Sequence, residues 1–297
     1  MKKKVTLILV NYKTIDCVIE CIESIKEQTY DNIEIIVVDN NSKDNCVDII
    51  NEKWSDVITI QNKENLGFSE ANNIGINLAI SRDADYIMLL NCDTILTKEY
   101  VLQLYEVAEC NTNVGIISGK ILYYYSTDLI WSAGGSLNAF KGSADIIDFN
   151  KKNYFPECKI TECSFASGCC MLIPKRIFSE VGLLSNRYFL YFEDTDFCAK
   201  IVKSGAKIFI NNNAIMYHKE SVSTGKRSNL YTYYNIRNRF IYIKHNIDKR
   251  HKPISYIYSL LWILKNTIYG SFGFKALIWA LIDFCRGIEG KSKRQFV

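Results

Sequence analysis

VTLILVNYKTIDCVIECIESIKEQTYDNIEIIVVDNNSKD, residues 5–44, decides how the chain folds. It opens on an apolar, β-branched run at residues 5–10 and reaches a second at residues 33–38; between them Ile15, Val18, Ile19, Ile22 and Ile25 fall on one helical stripe. Runs at residues 57–60 and 86–90 continue the alternation. Continuous apolar strands separated by helices imply an α/β fold with a mostly parallel sheet covered on both faces, and such sheets bind ligands beyond the carboxyl ends of their strands. Those exits carry Asn11 and Tyr12, then Asp39, Asn40, Asn41 and Ser42, then Asn91, Cys92 and Asp93. Asn, Asp and Ser are ordinary cap and turn residues one at a time. Three polar exits on one sheet edge point to a binding site.

The composition agrees with a folded, globular chain. At 297 residues, 48% hydrophobic and 13% aromatic, the chain can bury a full core, and its net charge of +4 is too small to argue for a nucleic-acid binder. Eleven cysteines, an odd number without CxxC spacing, read as reduced thiols. The apolar run at residues 5–10 is too short for a signal-peptide core, so a cytoplasmic protein is expected.

Beyond the first hundred residues the helical period fades. Residues 131–173, with Gly134, Gly135 and Gly142, read as loops and short strands. A helix is expected to open at Pro174 and end near Gly182, and another to run over residues 193–204 and stop at Gly205. An aromatic run, Tyr188 to Phe192, lies between them.

A nucleotide ligand needs its phosphate charge met, yet neither GxGxxG nor GxxxxGK[ST] is present, which leaves a metal held by carboxylate. Asp93, at the exit of an apolar strand, is the natural ligand for Mg²⁺ or Mn²⁺, with Asn91 as a further oxygen donor. Glu193, Asp194 and Asp196 open a helix behind the aromatic run. They suit the helix's positive end, and beside an aromatic wall one of them suits a general base. His218 fits a buried structural histidine and a metal ligand equally well.

These segments resemble family 2 glycosyltransferases of the GT-A fold, especially their rhamnosyltransferase branch, from residue 5 to about residue 245. Residues 5–44 are similar to that family's nucleotide-binding start, which implies that Asp39 contacts the base and that Val10, Asn11 and Tyr12 line the same pocket. NLGFSEANNIGI, residues 65–76, resembles its second nucleotide segment and brings in Asn65, Gly67 and Asn72. DYIMLLNCDTIL, residues 85–96, resembles the metal-site strand, although the family's Asp-x-Asp stands here as Asn91-Cys92-Asp93. SGCCMLIPKRIFSEVGLLSNRYFLYFEDTDFCAKI, residues 167–201, looks like the acceptor-side signature, implying Asp194 as catalytic base and Glu193 as its neighbour in the acceptor site. His218, followed by Ser221, fits the second metal or diphosphate contact. YYNIRNRF, residues 233–240, places Arg237 and Asn238 against the donor diphosphate or as a brace of the site.

The resemblance implies a metal-dependent, inverting transferase moving a hexose, first of all rhamnose from dTDP-rhamnose, to a hydroxyl of a cell-surface polysaccharide or lipid-linked glycan. A UDP-sugar donor (GlcNAc, Galf or Glc) is the alternative, and an inactive nucleotide- or glycan-binding protein a remoter one. The expected division is a transferase domain at residues 1–245, with a nucleotide half to about residue 120 and an acceptor half after it, followed by a helical appendage at residues 246–297. From residue 249 on, nine Lys or Arg face two acids, and no uncharged run approaches the ~18 residues of a spanning helix. Basic, Trp- and Leu-bearing segments of this kind suit peripheral attachment to the anionic cytoplasmic leaflet, or packing of Trp262 and Trp279 on the protein itself.

Overall fold

A computed structural model describes residues 2–219 and 228–296. The alternation runs β1 (Val5–Asn11), α1 (Ile15–Lys26), β2 (Ile33–Asp39), α2 (Cys46–Lys53), β3 (Val57–Gln61), α3 (Gly67–Ser81), β4 (Tyr86–Asn91), β5 (Thr94–Leu96), α4 (Tyr100–Cys110) and β6 (Val114–Tyr123). Short strands follow, as the fading period predicts: β7 (Ile130–Ser132), the hairpin of β8 (Gly135–Asn138) and β9 (Ser143–Ile146), β10 (Ile160–Cys163) and β11 (Cys170–Pro174). The chain then forms α5 (Lys175–Val181), α6 (Glu193–Ser204), β12 (Lys207–His218), α7 (Asn229–Asn246), α8 (Lys252–Ile268) and α9 (Phe274–Cys285).

The main sheet runs β10-β12-β6-β11-β4-β1-β2-β3, with β5 on β12 and β7 on β6. The neighbours β4, β1, β2 and β3 are parallel, while β11 is antiparallel to both β4 and β6. Side chains alternate along β1: Leu7 and Leu9 join a core shared with α1 and α4, and Ile8 a core shared with α3, α5 and α6. Burial on both faces is why the strand reads as an unbroken apolar run.

One boundary differs from expectation. Pro174 is the last residue of β11, at φ −60° and ψ 136°, and the helix begins at Lys175; the fixed proline φ suits either state, and ψ puts it in the extended one. The apolar stretch at residues 267–274 is split, because α8 ends at Ile268, Gly270 turns the chain at φ 66°, and α9 starts at Phe274. The helix over residues 193–204 stands as expected, closed by Gly205 at φ 85°. A third apolar cluster joins α7 to α8 and α9 around Tyr233, Ile236 and Ala280, so the helical layer begins before residue 246.

Candidate active site

The pairing of Val10 with Val38 and with Asn91 brings the ends of β1, β2 and β4 level with one another. Above that edge opens a cavity of about 1260 Å³. The strand exits supply Val10, Tyr12, Asn91, Cys92 and Asp93 to its wall, and the approach to α3 supplies Asn65, Gly67 and Asn72. Burial and Asp93 push the Cys92 thiol well above its ordinary pKa, so it stays neutral beside the Thr14 hydroxyl at 3.3 Å.

Asn11 and Asp39, expected in the nucleotide pocket, do not line this cavity. Both are buried: the Asn11 amide donates to Asp39 Oδ1 at 3.1 Å, Ser42 Oγ at 3.0 Å and Asp44 Oδ2 at 3.1 Å. Asn40 faces the cavity instead. Its amide donates to Asn65 Oδ1 and Gly67 O, and its carbonyl accepts from Asn62 Nδ2 and Leu66 N, so one side chain shapes the turn into α3. The run of Asn after β2 was visible in the sequence, but which Asn turns inward depends on α3.

The pairing of β5 with β12 sets His218 opposite Thr94, beside Asp93. Asp93 Oδ1 and His218 Nε2 lie 3.2 Å apart on the cavity wall, both largely buried, with the Trp131 ring edge-on to the imidazole at 4.6 Å. A carboxylate oxygen and an imidazole nitrogen converging on one cavity wall fit a divalent cation such as Mn²⁺, with room for phosphate oxygens on the cavity side. Asp39, Asp44 and Cys46 also bring potential ligand atoms together. That group fits a cation less well, because the Asn11 amide already donates into it. Ser221 lies outside the described residues. Lys219 was missed by sequence: it lines the cavity next to His218, its ammonium between Glu20 and the Tyr124 ring.

The three acids at the start of α6 separate. Asp196 is structural, accepting from Asn246 Nδ2 at 2.7 Å and the Tyr188 hydroxyl at 3.2 Å. Glu193 and Asp194 line the cavity. Asp194 Oδ2 accepts from Gly168 N at 3.1 Å and Oδ1 from Thr195 N at 2.6 Å; burial raises its pKa and these donors partly offset the rise. Glu193 Oε2 is buried without a partner among the described residues, and burial, then the charges of Asp194 and Asp196, push its carboxyl well above the ordinary range. Two adjacent carboxyls in one wall, one steadied by amides and one not, differ in how readily each ionises.

Arg237 is a correction: it does not line the cavity. It is fully buried, and its guanidinium donates to Gly290 O at 2.6 Å, the Tyr233 hydroxyl at 3.1 Å and Asn238 Oδ1. Four of its five N–H groups go to protein acceptors, and full burial keeps the guanidinium off the cavity wall.

Residues 6–182, more than half of the chain, match the family model described as "Glycosyl transferase family 2". The chain belongs to that family. Among curated relatives, this family 2 transferase is 27% identical over 248 residues to the low-salt glycan biosynthesis hexosyltransferase Agl10 of Haloferax volcanii, covering 81% of this chain and 76% of that one. It is 25% identical over 310 residues to the dTDP-rhamnosyl transferase RfbF of Shigella flexneri, covering 92% of each. The mannosyltransferase PcManGT from Pyrobaculum calidifontis, solved in complex with GDP-Man and Mn²⁺, superposes with a TM-score of 0.59 at 15% identity over 97% of this chain and 75% of that one. That likeness shows the GT-A fold. The family match ends before Glu193 and Asp194, so their roles rest on the geometry above.

Proposed function

We propose that this family 2 transferase moves a hexose, first of all rhamnose from dTDP-rhamnose, onto a hydroxyl of a surface polysaccharide or lipid-linked glycan, with inversion at the anomeric carbon. One observation carries the reading: Asp194, amide-steadied, and the Asp93–His218 pair line one cavity at the carboxyl edge of the sheet. The length-wide likeness to the Shigella enzyme supports the choice of donor.

The acceptor hydroxyl enters beside Asp194, whose carboxylate takes its proton as the oxygen attacks the anomeric carbon. The bond from that carbon to the diphosphate breaks as the new one forms, and the diphosphate leaves with the electron pair. Asp93 and His218 would hold a divalent ion, which when bound supplies positive charge at the departing diphosphate. Lys219 adds the chain's own cation on the same wall. Because Asp194 acts deprotonated and burial raises its pKa, turnover falls with acidification at a midpoint above the ordinary value of an aspartate.

Attachment to the inner leaflet belongs to the same proposal. Among the described residues no helix is long and apolar enough to cross a membrane. Trp262 and Trp279 pack inside the helical layer, yet α8 turns its small residues Ser255 and Ser259 inward and leaves Ile254, Ile257, Leu261, Leu264 and Ile268 exposed, Leu261 at 61%. Exposed Lys265 and Lys275, with Lys249 and Arg250 beyond the start of α8, give that stripe a charge suited to anionic lipid. Binding to phosphatidylglycerol vesicles, weak on phosphatidylcholine and lost in Leu261→Glu, is the expected result; equal recovery off both vesicles counts against attachment.

The test of the activity is nucleoside diphosphate release from dTDP-rhamnose and a panel of UDP-sugars, with Mn²⁺, Mg²⁺ or chelator, beside Asp194→Asn. Metal-dependent release from dTDP-rhamnose with a glycan acceptor is expected. Release from a UDP-sugar alone overturns the donor, and donor binding without turnover on any acceptor overturns the transferase.

A further inference from the structure

Tyr191 and Phe192, the two residues before Glu193, both hold left-handed backbone at φ 68° and φ 75°. Non-glycine residues adopt that region at a cost and keep it only where neighbours hold them there. The neighbours can be named. Four successive carbonyls of the aromatic loop are taken by other elements: Tyr188 O by Ser69 Oγ at 2.9 Å, Phe189 O by Phe68 N at 2.8 Å, and Leu190 O and Tyr191 O by the single amide of Asn238 at 2.8 and 2.9 Å. Asn238 is fully buried, with both N–H groups spent on this loop.

Asn238 is itself fixed from behind. Arg237 Nε and Nη2 donate to its Oδ1 at 3.1 and 3.0 Å. The same guanidinium reaches Gly290 O, and Tyr233, which it also contacts, donates to Asp283 Oδ2 at 2.7 Å. Arg294 closes the network on Asp283 at 2.6 and 2.9 Å. A buried polar chain therefore runs from the end of α9 and the segment after it, through Asn238, to the loop that opens α6.

We infer that Asn238, braced by Arg237 and the C-terminal segment, is a positioning residue for catalysis: it holds Leu190 and Tyr191 so that Asp194 is presented to the acceptor. The inference rests on the transferase reading of Asp194 and deepens it, and it makes the C-terminal helices part of the catalytic assembly. Asn238 is buried away from the cavity wall, so its loss acts through geometry. Misplacing a reacting group by about 1 Å costs on the order of 10²-fold.

The experiment uses the full chain, with kcat normalised to sites counted by nucleotide binding. Asn238→Ala is expected to lower kcat about 10- to 100-fold, to leave the donor KM within about threefold, and to move the acid midpoint of the pH–rate profile, since the surroundings of Asp194 change. A merely structural role lowers the melting temperature and the number of binding sites while kcat per site and the midpoint stay at wild-type values; that result overturns the inference. If Asn238→Ala does not accumulate folded, Asn238→Ser, which keeps a hydroxyl donor, is read by the same criteria. Asp194→Asn in parallel separates the two readings: its inactivity beside unchanged kcat in Asn238→Ala overturns the brace alone, whereas retained turnover in Asp194→Asn overturns the base assignment.

Discussion

The donor-side wall of the cavity is made of strand ends and the turns that follow them, whereas the acid-side wall hangs on a loop whose carbonyls are held by α3 and α7. The first is local: sheet pairing sets Val10, Asn91 and their neighbours level at one edge. The second is distributed, with Phe68 and Asn238 meeting the loop from about 120 residues before it and about 50 after it in the chain. The placement of the acid-side loop thus depends on residues far from it in the chain, and substitutions should separate the two walls by what they change.

The largest expected effect is on the acid wall. Asp194→Asn should reduce turnover about 10²- to 10⁴-fold while donor affinity persists, checked by steady-state kinetics beside nucleotide titration. On the donor wall, Asp93→Asn should cost on the order of 10²-fold and raise the Mn²⁺ concentration for half-maximal rate, with chelator reproducing the loss in the parent protein. A metal requirement unchanged in Asp93→Asn would move the cation elsewhere on that wall.

Gly67 joins the two walls, and its substitution sharpens the comparison. It holds φ +83°, and a Cβ there would lie 2.3 Å from Phe189 O. Gly67→Ala should cost about 1–3 kcal/mol in stability from the backbone alone and lower kcat by displacing the loop, visible as a reduced melting temperature together with a kinetic defect.

The smallest effect is a gain. Burial and its acidic neighbours raise the Glu193 carboxyl, so its folded form binds a proton more tightly than the unfolded chain does, and at neutral pH that difference destabilises the fold. Glu193→Gln should raise the melting temperature at pH 7. The gain should shrink as pH falls through the folded-state pKa and vanish below the ordinary glutamate value of about 4.3. Thermal melts across pH check the sign.

Much of the strand-end wall of the cavity was legible in the sequence because strand exits follow from apolar periodicity: Tyr12, Asn91, Cys92 and Asp93 stand on the cavity. Asn11 and Asp39 stand at the same exits and turn inward to each other, a choice that alternation along the strand cannot announce. Arg237 shows a different limit, since a basic residue in a recurrent motif reads as a phosphate contact until its acceptors are known. Neither Gly168, whose N–H meets Asp194, nor Lys219 had a periodic signal to carry it.

The sequence by itself determined the α/β class, the edge of the sheet that binds, and the pairing of an acid-rich helix start with an aromatic run, because hydrophobic period and capping chemistry are properties of neighbours in the chain. Tertiary structure alone decided that two of the three acids, Glu193 and Asp194, face the cavity, that His218 meets Asp93, and that α8 leaves a large apolar stripe uncovered. Those outcomes depend on contacts between segments tens to hundreds of residues apart, and no local pattern encodes which partner will already occupy a side chain's hydrogen bonds.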